Sequence, residues 1–139
     1  MINDLTTQKP RSPKERYEGI IALPRLFDKL RAKSGGTLGE YMVGTESSLD
    51  SQLAEFLKLD LEKIFNFMNP EKTDEECFLF IKEHFSVPTE DESTAWSDAM
   101  EKMQLRHDPL RQKYAQIVIE KAKLPEDIKT FDWLVMGDK

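Results

Sequence analysis

The residue types able to do chemistry in this chain gather in one stretch, Leu23 to Tyr41. Arg25, Asp28 and Lys29 stand at i, i+3 and i+4, and Arg31 lies three residues past Asp28. On a helix the first three share a face opposite Leu23, Leu26, Phe27 and Leu30, and Arg31 can also reach Asp28. A carboxylate held between guanidinium groups orients them and leaves N–H donors for an anionic ligand. Gly35, Gly36 and Gly39 let backbone approach such a ligand, and Glu40 and Tyr41 add an acceptor and a hydroxyl. Arg11, from the segment before the helix, is placed to close the site. The candidate ligand-binding set is therefore Arg11, Arg25, Asp28, Lys29, Arg31, Glu40 and Tyr41. The plainer alternative is a solvated helix face with ion pairs of ~0.2–0.5 kcal/mol each. Spacing by itself favours that alternative.

Other chemistries find little support. His84 and His107 are the two histidines, and neither has a histidine partner at i+4, so a histidine-based metal site is not expected. The single cysteine, Cys77, sits in the apolar run Cys-Phe-Leu-Phe-Ile without an adjacent base and reads as a core residue. A phosphate-binding loop and a Gly-x-Ser-x-Gly elbow are both missing, and the glycines at 35–39 follow no strand. Neither metal nor cofactor is expected. Asp74-Glu75-Glu76 and Glu90-Asp91-Glu92 fall in first helical turns, where they answer the helix dipole.

The elements that must position the candidate site are helices. The chain has 139 residues, 39% of them apolar and 33% charged, which suits one domain of helices with one dry and one wet face. Residues 1–19 carry Lys9-Pro10, Ser12-Pro13 and Gly19 and read as an irregular N-terminal arm. Residues 20–139 read as a single compact all-α domain of about five to seven helices. The first helix opens at Pro24 and closes at Gly35-Gly36. Residues 37–47 are a connector or a short helical turn. Ser48 opens the next helix, and Asp60 caps another that ends at Asn69-Pro70. Thr73 with Glu76, and Thr89 with Glu92, have the spacing of capping boxes. Asp108-Pro109 reads as a cap followed by a first helical proline, starting a stripe of Leu110, Tyr114, Ile117, Val118 and Lys121. Leu124-Pro125 starts a last helix with Ile128, Phe131 and Val135 inward. The best strand candidate, Gly19 to Ala22, is too short to build a sheet.

Formal charge is −6, unevenly spread. Residues 1–33 carry a positive excess of four and the remainder a negative excess of ten. An acidic bulk repels a phosphate backbone, so nucleic-acid binding is not expected. The leading reading is that the basic third docks on the acidic remainder of its own chain; an anion or an acidic partner is the alternative. The N-terminus lacks an apolar signal core, and no window approaches ~18 apolar residues, so a soluble, cytoplasmic protein is expected, with no membrane partner.

The run Leu-Pro-Arg-x-x-Asp-Lys-x-Arg-Ala from Leu23, followed by Gly-Thr-Leu-Gly-Glu-Tyr ending at Tyr41, resembles the signature of a family of small bacterial proteins catalogued only as a domain of unknown function. The resemblance starts at Pro10-Arg11-Ser12-Pro13, passes through Gly19, Leu49-Asp50 and Phe56-Leu57, and fades in the last third. It implies a helical fold, and it implies that the charged stretch is more than a solvated face. That raises the ligand site to equal standing with the plainer reading. Three functions follow in order. The first is a binding module for a small anionic metabolite. The second is a protein-interaction or structural protein in which the motif staples the arm to the first helix. The third is a cofactor-independent enzyme with Asp28 or Glu40 as base and Tyr41 or Lys29 as acid. Oligomeric state is open.

Overall fold

The computed structural model describes residues 1–44, 47–109 and 111–138. Seven α-helices and a two-stranded hairpin make up the described chain: β1 (Arg16–Tyr17), β2 (Ile20–Ile21), α1 (Leu23–Ser34), α2 (Ser48–Leu57), α3 (Leu61–Phe67), α4 (Asp74–His84), α5 (Glu90–Lys102), α6 (Gln112–Ala122) and α7 (Thr130–Met136). The fold is thus mostly helical, as the stripes require. The strand candidate at Gly19–Ala22 finds a partner in its own neighbours. Arg16 pairs with Ile21 and Tyr17 with Ile20, antiparallel. The turn residues Glu18 and Gly19 both have positive φ, 50° and 77°. That geometry matches the right-handed twist of a tight hairpin.

The hairpin exists because it is held from outside. Ser97 of α5 accepts a hydrogen bond from the Ile21 N–H at 2.9 Å and donates one to the Gly19 carbonyl at 2.9 Å. Ile20 and Ile21 are fully buried. Such side chains contribute roughly 1.5–3 kcal/mol each by leaving water, which a two-residue ladder could not supply alone.

Helix α1 follows directly and is the axis of the main core. Leu23, Leu26, Phe27 and Leu30 pack there with Leu49, Leu53 and Leu57 of α2, Ile64 of α3, and Cys77, Phe78 and Ile81 of α4. The helix opens without a side-chain cap, from Ala22 in a left-handed conformation, and Pro24 sits within its first two positions. It ends at Gly35, with Gly36 at φ +73°. The caps at Asp60, Thr73 and Thr89 form as their spacing demands, the last two as complete capping boxes. Thr37 and Glu40, which also have capping-box spacing, open no helix. The Thr37 hydroxyl donates to the Asn3 carbonyl at 2.9 Å, tying the N-terminal residues to the end of α1.

The last third departs from its sequence pattern. Asp108 does not cap a helix; it is buried beside Arg111 and Thr130, and α6 starts only at Gln112. Leu110 lies outside the described residues. Among the described side chains the buried positions of α6 are Ala115 and Ile119, while Tyr114 and Ile117 are exposed at 39% and 55%. Ala115 and Ile119 form a second, smaller core with Leu105, joined by Val118, Leu124, Ile128 and Trp133. The last helix starts at Thr130 rather than after Pro125. The chain pairs Leu105 N–H with the Ile128 carbonyl at 2.8 Å and Thr130 N–H with the Met103 carbonyl at 2.9 Å first. Phe131 and Leu134 of α7 reach back to the main core.

Candidate functional site

Four of the five charged side chains of α1 are not solvated; Lys33, in its last turn, is exposed. Arg25, Asp28, Lys29 and Arg31 are 6%, 0%, 3% and 0% exposed. A helix with one face in the core and most of the other covered by neighbours must neutralise every charge it buries. The partners come from elsewhere in the chain, mostly the acidic remainder, and they divide the seven candidate residues into two groups.

Arg11, Asp28 and Arg31 form the first group, with Asp74 at the start of α4. Asp28 accepts from the Arg11 backbone N–H at 2.8 Å, from Arg11 Nη2 at 2.8 Å and from Arg31 Nη1 at 3.0 Å. Asp74 accepts from Arg11 Nη1 at 2.7 Å and from Arg31 Nη2. Arg31 Nε donates to the Lys72 carbonyl at 2.5 Å, and Arg11 Nη2 to the Pro24 carbonyl at 3.2 Å. Two carboxylates and two guanidiniums thus close on one another, tying the arm and α4 to α1. Partial burial works to raise the Asp74 carboxyl, but hydrogen bonds from Arg11 and Arg31 outweigh it and hold it below the ordinary range. The Asp74-Glu75-Glu76 run therefore does more than face the helix dipole: its first residue completes this cluster.

Arg25, Lys29, Glu40 and Tyr41 form the second group and line an open cleft of about 780 Å³. Its other wall carries Arg111, Tyr114, Trp133 and Asp138. The cleft thus runs between α1 with the connector after it and the α6–α7 end, where the smaller core lies. Arg25 binds Asp138 with both prongs, Nη1–Oδ2 at 2.6 Å and Nη2–Oδ1 at 2.9 Å. Nη1 also donates to the Arg11 carbonyl at 3.2 Å. The guanidinium lies 5.8 Å from the centroid of the Tyr41 ring, and that of Arg111 lies 6.0 Å from the Trp133 ring. Each wall therefore presents a cation on an aromatic ring.

Lys29 Nζ donates to Asp50 Oδ1 at 2.8 Å, and Asp50 Oδ2 accepts the Gly44 N–H at 3.0 Å. Burial pushes the Lys29 ammonium below the ordinary lysine range, and the Asp50 carboxylate recovers only part of the loss. Partial burial, then the Asp138 carboxylate, push the Tyr41 hydroxyl up, with Arg25 opposing. Glu40 is exposed at the rim.

Sequence reasoning missed Asp50, Asp74, Asp138 and the Asp108–Arg111 pair. The charge asymmetry between the first 33 residues and the rest was the available signal. Arg11–Asp74, Lys14–Asp132, Arg16–Asp98, Arg25–Asp138 and Lys29–Asp50 all join the basic third to the acidic remainder. Cys77 is a core residue, and burial raises its thiol to about 11. Among the described residues no group of His, Cys, Asp and Glu has the arrangement of a metal site, and no helix is long and apolar enough to cross a membrane.

The chain belongs to the family described as a domain of unknown function (DUF5069), whose family model matches residues 7–138. No curated protein matches the chain.

Proposed function

We propose that this member of the family is a binding module for a small anionic metabolite, held in the cleft between α1 and the α6–α7 end. The observation that carries the reading is Arg25: a guanidinium on the most buried helix, lining an open cleft of ligand size and gripping a carboxylate there. Small-molecule sites commonly combine such a cleft with apolar and aromatic walls and a few oriented polar groups. Tyr41, Tyr114 and Trp133 supply the aromatic surface and Arg25 the orienting charge.

For Arg11, Asp28 and Arg31 a structural role fits better. Their hydrogen bonds run to one another, to Asp74 and to backbone carbonyls. A general base needs an accessible lone pair, and the Asp28 carboxylate is fully buried under Arg11 and Arg31. An enzymatic reading therefore loses one of its two bases and keeps only Glu40.

A thermal-shift screen with nucleotides, sugar phosphates and carboxylates tests the binding reading. A ligand at ~100 times its dissociation constant adds ~2.7 kcal/mol and raises the melting point of a domain this size by several degrees. The expected result is a hit that is lost in Arg25→Gln. A panel without hits, or a hit that Arg25→Gln leaves intact, would rule out the cleft as described.

A further inference from the structure

We infer that Asp138 occupies the subsite of a ligand carboxylate, and that the natural ligand is a monocarboxylate with an apolar or aromatic body that displaces residues 137–138. This rests on the reading of the cleft as an anion site and names the anion it takes.

The charge pattern selects the class. Lys29 is neutralised by Asp50, and Arg111 by Asp108, both at hydrogen-bond distance. Arg25 is the cleft cation whose only ion-pair partner among the described residues is Asp138. Once Asp138 leaves, the walls offer one uncompensated positive charge, with Glu40 negative at the rim. One charge matches a monoanion and disfavours a phosphate dianion. The two-pronged contact at 2.6 and 2.9 Å already displays the carboxylate geometry that the guanidinium reads.

The two sides of the pair are held differently. Arg25 is fixed by a helix buried along its length, by the Arg11 carbonyl and by the Tyr41 ring. Asp138 follows the end of α7. Its other bond is its own N–H to the Val135 carbonyl at 3.1 Å, while Gly137 N–H reaches the Leu134 carbonyl at 3.1 Å. Neither residue belongs to either core. Residues 137–138 can therefore leave without opening a core, whereas Arg25 stays and, only 6% exposed, requires another anion. The Tyr41, Tyr114 and Trp133 rings line the same cleft and give the body of the ligand its surface.

The test is calorimetric titration of the full chain and of Asp138→Ala with phenylacetate, phenyl phosphate and neutral phenylacetamide. A self-occupied site weakens apparent affinity by the fraction of time it is filled. Asp138→Ala should therefore bind phenylacetate roughly tenfold more tightly than the unaltered chain. Phenyl phosphate should gain less and phenylacetamide nothing, and Arg25→Gln in the same background should erase the gain. In the unaltered chain, phenylacetate should speed hydrogen exchange at the Gly137 and Asp138 amides, a readout that does not depend on any variant folding. Equal phenylacetate affinity with and without Asp138, or a larger gain for phenyl phosphate, overturns the inference. If anions in the wider screen bind through Arg25 but Asp138→Ala changes nothing, the displacement fails and the binding site stands. If no anion binds either protein, both fall.

Discussion

Replacing Asp28 with alanine should cost this protein a large part of its stability. Asp28 is fully buried and accepts from the Arg11 backbone, the Arg11 guanidinium and Arg31. Its removal leaves two guanidiniums facing the single carboxylate of Asp74, so one buried positive charge goes uncompensated. Breaking a buried pair in this way costs about 3–5 kcal/mol. A 139-residue domain loses roughly 3–4 °C of melting temperature per kcal/mol, so the expected fall is about 9–20 °C. The assay is thermal melting by circular dichroism at pH 7, repeated at high salt, which should change little because the Asp28–Arg31 pair is fully buried. A second variant isolates the cause. Arg31→Met in the Asp28→Ala background restores charge balance, since Arg11 and Asp74 remain as a pair. That double variant should melt above Asp28→Ala alone. A single variant within about 3 °C of the unaltered protein, or a double variant that falls by the sum of its parts, would refute the account of a closed, mutually dependent cluster.

Acid should destabilise the protein in a defined window. Asp74, Glu76 and Glu92 all have carboxyls held below their ordinary values of 3.8, 4.5 and 4.5. Groups depressed on folding stabilise above the unfolded value and lose that contribution as pH falls through the folded one. Melting temperature should thus decline from about pH 4.5 downward, and Asp74→Asn should melt lower at neutral pH with a shallower acid slope. Gly39→Ala should destabilise by about 1–2 kcal/mol, read by denaturant melts. Gly39 has φ +65°, and an added methyl would stand 3.0 Å from the Leu5 carbonyl oxygen. Cys77 should resist a thiol reagent at pH 8 until denaturant is added, because it is buried and its thiol titrates near 11. Rapid labelling of the folded protein would contradict its core placement.

Much of the fold is legible from local chemistry. Capping residues announce α3, α4 and α5 because the cap bond forms within three residues and needs no tertiary partner. The Leu23, Leu26, Phe27 and Leu30 stripe and the Gly35-Gly36 stop mark α1 for the same reason. The last third is harder to read. Asp108-Pro109 has the spacing of a helix start, but α6 begins only at Gln112 and the buried Asp108 carboxylate meets Arg111 and Thr130. The α6 face that turns inward is then set by what Leu105 and Trp133 leave to be covered.

Residue types and spacing by themselves determined that a charged set would gather along α1, and the charge imbalance of the first third determined the sign of its partners. Only the tertiary structure decided which aspartate each cation meets. Asp50, Asp74 and Asp138 lie 21, 43 and 113 residues from Lys29, Arg31 and Arg25. It also separated a closed cluster around Asp28 from an open cleft at Arg25. Arg25 and Arg31, six residues apart on one helix, look alike in sequence. They differ because α4 and the arm cover one, while the other faces the space left between two cores. Long-range packing alone creates that difference.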